Sequence, residues 1–196
     1  MRLTDNRYAT ERQQFELALR MIRHEARTRT IKACTGLSDD RIRKLYATYF
    51  RGNGRATVKR RRGKSPRQVT LFVKNPLNQL EATTLIALFS ASLLLRVDTA
   101  NRIHACWPRP DVEYGHRVCR AFETYKLLHP SPQLSFEWAW NLLQTISHND
   151  ELYLAACGHC HARYVQDAYA LDRKTCPSCE IGGASRHSGS GSLAGA

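Results

Sequence analysis

Cys157-Gly158-His159-Cys160, then fifteen residues, then Cys176-Pro177-Ser178-Cys179: this stretch decides how the last part of a 196-residue chain is built. Two Cys-x-x-Cys pairs at that separation match the spacing of a structural zinc site. Each pair turns in a tight knuckle that offers two thiolates on one side, and a short hairpin sets the second pair opposite the first. Four thiolates then fill a tetrahedron with Zn–S bonds of about 2.3 Å, leaving no position open for water. The expectation is one structural Zn2+ per chain, held by Cys157, Cys160, Cys176 and Cys179 and supplying much of the folding energy of so small a segment.

Other chemistries use parts of this pattern. A thiol oxidoreductase working through Cys157 and Cys160 would place Cys157 at a helix N-terminus, where its pKa falls; the residues that follow it look like a strand instead. A zinc deaminase needs a His-x-Glu element and a proline just ahead of the Cys-x-x-Cys, and both are missing. His159 and His161 could replace a cysteine ligand but are read as bystanders. The β-prone pieces Leu152-Tyr153-Leu154 and Arg163-Tyr164-Val165 flank the pairs, so residues 151–181 form a zinc-ribbon-like four-cysteine segment. Beyond Ile181 only Gly, Ala, Ser, one Leu, one Arg and one His remain, and residues 182–196 are expected to be a disordered tail.

Upstream of the cysteines the patterning is helical. Phe15, Leu19 and Ile22 recur at three- and four-residue spacing, which predicts a helix from Tyr8 to Arg29. Ser38 offers an N-cap and Asp39 and Asp40 suit the positive end of a second helix, which closes near Arg51-Gly52-Asn53-Gly54. Val69 to Val73 suggests a short strand. Leu80 to Val97 reads as an apolar central helix, with further helices at about 111–128 and 135–147. The fold class is therefore mainly α. It divides into a basic helical region (1–67), a helical core (68–150) that also offers apolar surface for a partner, the four-cysteine segment and the tail.

Charge is distributed unevenly. The formal net charge is +13; residues 1–67 hold 19 Lys or Arg against 6 Asp or Glu, and the remaining residues hold 11 of each. Such an excess in one third of the chain points to a polyanionic partner, contacted there. Residues 51–67 contain eight Lys or Arg, three glycines and no acid. Arg55, Lys59, Arg60, Arg61, Arg62, Lys64 and Arg67 are the candidates for phosphate contact, which releases counterions and weakens steeply with salt. Residues 28–49 fit a helix-turn-helix in outline: Ile31 packs inward, Gly36 supplies the positive φ at the turn, and Leu37, Ile42 and Leu45 fill the angle between helices. Arg41, Arg43 and Lys44 would then face DNA. Lys32 stands where a small residue usually lets such helices approach, and Asp39 and Asp40 would repel phosphate. The pattern is also that of an ordinary helical hairpin.

No apolar stretch follows the N-terminal charges, and the longest apolar run, Leu85 to Leu95, holds two serines and falls short of the roughly 20 residues a membrane-spanning helix needs. The expectation is a cytoplasmic protein with no membrane contact, whose cysteines are reduced, metal-bound or buried. Cys34, Cys106 and Cys119 are read as small buried hydrophobes. No paired acids, nucleophile motif or phosphate-binding glycine loop suggests an enzyme.

Several stretches together resemble the FlhC family, zinc-containing subunits of bacterial flagellar transcriptional activators. They are Ile31-Lys32-Ala33-Cys34-Thr35-Gly36-Leu37-Ser38 with Asp40-Arg41-Ile42-Arg43-Lys44-Leu45-Tyr46, the Gly63-Lys64-Ser65-Pro66 loop, Phe136-Glu137-Trp138-Ala139-Trp140, and the four cysteines. Their order and spacing match over most of residues 10–180. The Lys/Arg run before Gly63 and the Ser/Gly tail are less typical of the family. The resemblance implies a subunit that acts with FlhD in a heterohexamer of four FlhD and two FlhC, binds duplex DNA upstream of flagellar promoters and helps recruit RNA polymerase. It carries the family's zinc ligands to the same four cysteines and implies no catalytic residue. The competing functions are an RNA-binding zinc-ribbon module and the thiol oxidoreductase.

Overall fold

The computed structural model describes residues 2–51, 58–59, 61, 63, 68–148, 151–171 and 174–187. The order is α1 (Arg2–Arg23), α2 (Thr28–Thr35), α3 (Asp39–Phe50), a 3₁₀ turn (Val69–Val73), α4 (Pro76–Ala91), β1 (Leu95–Val97), β2 (Ile103–Ala105), α5 (Val112–Leu128), α6 (Phe136–His148), β3 (Leu152–Ala156), β4 (Arg163–Asp167) and α7 (Pro177–His187). The mainly helical class holds. The strands form two separate antiparallel hairpins, β1–β2 and β3–β4.

The helical repeat explains the packing of the N-terminal unit. Leu17, Ala18, Met21 and Ile22 of α1 are buried, and α1 meets α2, α3 and α5. α5 turns Gly115 toward α1 and α2, where a Cβ would lie 2.5 Å from Leu17 Cδ2 and 3.0 Å from Cys34 Cβ. α4 takes the centre, packing on α5, α6, the 3₁₀ turn, β4 and α7. Its sole charge, Glu81, is buried but satisfied: it accepts from the Tyr125 hydroxyl at 2.5 Å, from Gln133 N–H at 2.9 Å and from Leu134 N–H at 3.2 Å. A buried carboxylate persists only with such donors. Phe136 is core, Trp138 meets Phe72 edge-on at 5.7 Å, and Trp140 meets Tyr114 at 5.9 Å, so this aromatic strip packs inward.

Four local expectations are corrected. The helix predicted over Tyr8–Arg29 stops at Arg23, and α2 starts afresh at Thr28. Glu25 takes φ 59°, Glu25 N–H bonds Ile22 C=O at 2.9 Å, and Ala26 N–H bonds Met21 C=O at 3.1 Å. This is a Schellman closure without the usual glycine. The central helix stops in the same way at Ala91 rather than Val97: Leu93 takes φ 57°, and Leu94 N–H bonds Phe89 C=O at 2.9 Å. Leu94 and Phe89 are both buried, so the apolar contact that accompanies this motif takes the place of the glycine signal. Leu95–Val97 becomes a strand.

Val69–Val73 is a 3₁₀ turn, not a strand. Asn78 Nδ2 holds the Leu71 carbonyl at 2.9 Å and Phe72 is fully buried, so the segment leads into the Asn75 N-cap of α4. The tail is ordered further than expected: α7 begins with Pro177, a residue suited to a first helical turn, and continues to His187 against α4. Residues 188–196 lie outside the described residues.

Candidate metal centre and nucleic-acid interface

Hairpin β3–β4 brings Cys157 to the end of β3, and the start of α7 places Cys176 and Cys179 opposite. The four Sγ atoms of Cys157, Cys160, Cys176 and Cys179 all lie within 4.8 Å of one another, with Cys157–Cys179 at 4.0 Å and Cys160–Cys176 at 3.6 Å. A tetrahedron with metal–sulfur bonds of about 2.3 Å has edges of about 3.8 Å, so the donor set fits a four-coordinate metal. The backbone is folded for thiolates as well. His159 N–H points at Cys157 Sγ at 3.4 Å, Cys176 N–H at the same sulfur at 3.3 Å, and Cys179 N–H at Cys176 Sγ at 3.4 Å.

The electrostatics follow from that crowding. Backbone N–H groups, first of Cys160 and then of Cys176, hold the Cys157 thiol down at about 5. Contact with the Cys160 thiol pushes Cys179 up to about 12, and burial raises Cys176. Neighbouring thiolates repel, so without a cation the group does not ionise together; a divalent ion would draw off all the protons. His159 and His161 are exposed and outside the cluster. Among the other cysteines, Cys34 and Cys119 are buried, and burial raises both thiols, Cys119 to about 12. Cys106 is exposed, contrary to expectation, because it lies just past the edge of the β1–β2 hairpin.

The second site is the three-helix unit. Gly36 caps α2 with φ 70°, and Ser38 caps α3, its hydroxyl accepting from Arg41 N–H at 3.3 Å. Ile31, Leu37 and Ile42 are buried between the helices and Leu45 is half-buried against them, a packing that a helix-turn-helix and an ordinary helical hairpin share. Lys32 does not obstruct the turn: it is exposed and reaches Asp39 at 3.2 Å. Asp40 pairs with Lys44 at 3.1 Å. Both acids on α3 therefore have cationic neighbours, through exposed pairs worth about 0–1 kcal/mol.

The outer side of α3 exposes Arg41, Arg43 and Lys44. Arg41 lies over the Phe15 ring at 5.3 Å, so its guanidinium leans toward α1. Arg43 makes no ion pair among the described residues. Of the basic segment, Lys59 and Arg61 are exposed, and Arg61 pairs with Glu25 at 2.8 Å. Arg55, Arg60, Arg62, Lys64 and Arg67 lie outside the described residues. Sequence reasoning missed Glu25, Arg27 and Tyr46, which touch this segment from positions 12 to 36 residues away. Nothing in the local pattern could have linked them.

The three-helix unit carries exposed basic side chains on α3, and the four cysteines close a hairpin that could hold a metal ion. A family model described as flagellar transcriptional activator (FlhC) matches residues 4–189, and the chain belongs to this family. It is a family of transcription factors rather than enzymes. No curated protein matches the chain. Among the described residues, no helix is long and apolar enough to cross a membrane.

Proposed function

We propose that this protein is the DNA-contacting subunit of a flagellar transcriptional activator that works with an FlhD-type partner in the cytoplasm. In the assembly the family resemblance implies, two such chains join four FlhD chains, bind upstream of flagellar promoters and help recruit RNA polymerase. The observation that carries this reading is a family match extending over both sites, from the three-helix unit through the four cysteines. α3 faces the major groove, with Arg43 best free to reach it and Arg41 and Lys44 beside it. Lys59 and Arg61, together with the neighbouring cations Arg55, Arg60, Arg62, Lys64 and Arg67, neutralise phosphates. Zinc is the metal whose preferences match four thiolates with no open position, so Cys157, Cys160, Cys176 and Cys179 hold a structural ion rather than a catalytic one.

The test is fluorescence anisotropy of a labelled flagellar promoter duplex and a scrambled duplex, with the chain alone and with FlhD. Tight binding to the promoter only when FlhD is present is expected. Equal, salt-sensitive binding to both duplexes, unchanged by FlhD, would reduce the protein to a general nucleic-acid binder.

A further inference from the structure

The basic segment that follows α3 is fastened to the helical unit at three residues. The Tyr46 hydroxyl donates to the Val58 carbonyl. The Arg61 guanidinium meets the Glu25 carboxylate, Nε to oxygen at 2.9 Å and Nη2 at 2.8 Å. Arg27 Nη1 donates to the Gly63 carbonyl at 2.9 Å, and Gly63 has φ 93°, a conformation that suits glycine. The three anchors come from α3, from the turn after α1 and from the N-cap of α2.

The helical unit itself sets each anchor. Glu25 is locked in the Schellman turn that ends α1. Tyr46 is half-buried, 6.3 Å from Phe50. Arg27 is held by Glu137 of α6, which is 1% exposed: the carboxylate accepts from Arg27 N–H at 2.7 Å and lies 3.9 Å from Arg27 Nε. The Arg27 charge is thus countered from inside the protein, and two of the three anchors use their hydrogen bonds on backbone carbonyls. They do not act as phosphate ligands; they fix where Lys59 and Arg61 stand.

We infer that Tyr46, Arg27 and Glu25 are positioning residues for DNA binding, holding Lys59 and Arg61 beside α3 so that these cations meet the phosphates bordering the groove that α3 enters. This rests on the DNA-binding reading above. Cations held in place before binding lose less conformational entropy when they meet the duplex, so Lys59 and Arg61 give more affinity. Loss of the uncharged Tyr46 anchor weakens binding without removing a phosphate contact. Loss of a cation removes one.

The salt dependence of binding separates the two. The full chain with FlhD is titrated onto the promoter duplex over a range of salt as the parent, as Tyr46→Phe, which deletes only one hydroxyl, and as Lys59→Ala. For Tyr46→Phe the Kd should rise roughly three- to tenfold, the effect of losing one net hydrogen bond, with the slope of log K against log salt unchanged. For Lys59→Ala the slope should fall by about one. The inference is overturned if Tyr46→Phe lowers the slope as Lys59→Ala does. It is equally overturned if Tyr46→Phe melts at a lower temperature yet binds with the parent Kd, which would make the contact structural only. A parent complex that fails to prefer the promoter removes the DNA-binding reading itself, an outcome visible before any variant is compared.

Discussion

The three-helix unit and the four-cysteine hairpin solve the same problem with different means. The first buries a broad apolar interior, with Leu17, Met21, Ile31 and Ile42 joined to α5 through Val118 and Phe122. The second has an interior of Cys157, Tyr164 and Cys176, with Ala155 and Cys179 at its edge. A helical unit of the first kind is held by area removed from water. A hairpin of the second kind has too little area, and its cohesion would come from a metal bound to its four thiolates. The hairpin is tied instead to the central helix: Gln79 and Thr83 of α4 bond both sides of Val165, Nε2 to its carbonyl at 2.8 Å and its N–H to Oγ1 at 3.2 Å.

The largest expected effect breaks the contrast at its metal end. Cys157→Ser, or chelation of the parent protein, should release the metal and melt the hairpin and α7 while the helical circular-dichroism signal of α1–α6 largely persists. The loss should be several kcal/mol of the roughly 10 kcal/mol a structural zinc can supply. Metal analysis with thermal melting checks this, and a variant that keeps a full equivalent of metal and the parent melting profile refutes the ligand assignment.

A smaller effect tests the packing end. Gly115→Ala should destabilise the α1–α2–α5 contact by about 1–3 kcal/mol, because the new methyl meets Leu17 and Cys34. Chemical denaturation reads this, and the metal content should not change. Gln79→Leu addresses the join. It should cost about 1–2 kcal/mol by leaving the Val165 carbonyl without its donor, and it should lower the melting temperature of the hairpin. An unchanged hairpin transition would mean that this bond does not help hold it to α4.

The mildest effect is electrostatic. On the α1–α5 contact, Arg20 meets Glu123 at 2.5 Å and holds its carboxyl at about 2, below the ordinary 4.5, with a further hydrogen bond from His24 at 2.8 Å. Burial lowers His24 from its ordinary 6.5. A depressed carboxylate stabilises the fold above its unfolded value and loses that contribution as pH falls from about 4.5 toward 2. A depressed histidine takes its proton first in the unfolded chain, so stability begins to fall once pH drops below 6.5. Melting temperature against pH should therefore decline in two stages, and Glu123→Gln should remove the lower one.

Much of this was legible locally. Gly36 and Ser38 mark their turn and cap because positive φ and side-chain capping are properties of single residues. Residues 112–128 and 136–148 announce themselves by periodicity. The ends of α1 and α4 did not, since Glu25 and Leu93 take the left-handed turn that glycine would have advertised. Their closures depend on partners such as Phe89 under Leu94, which exist only once the chain is packed. The four cysteines were readable because metal spacing is a short-range constraint, whereas the anchors on Val58, Arg61 and Gly63 were not.

The sequence by itself determined the helical class, the pairing of the four cysteines at metal-site spacing and the confinement of excess positive charge to the first third, because composition, periodicity and spacing act over a few residues. Tertiary structure decided where α1 and α4 stop, that Glu137 steadies Arg27, and that the acids on α3 have cationic neighbours. These outcomes rest on contacts between elements whose approach no local pattern encodes.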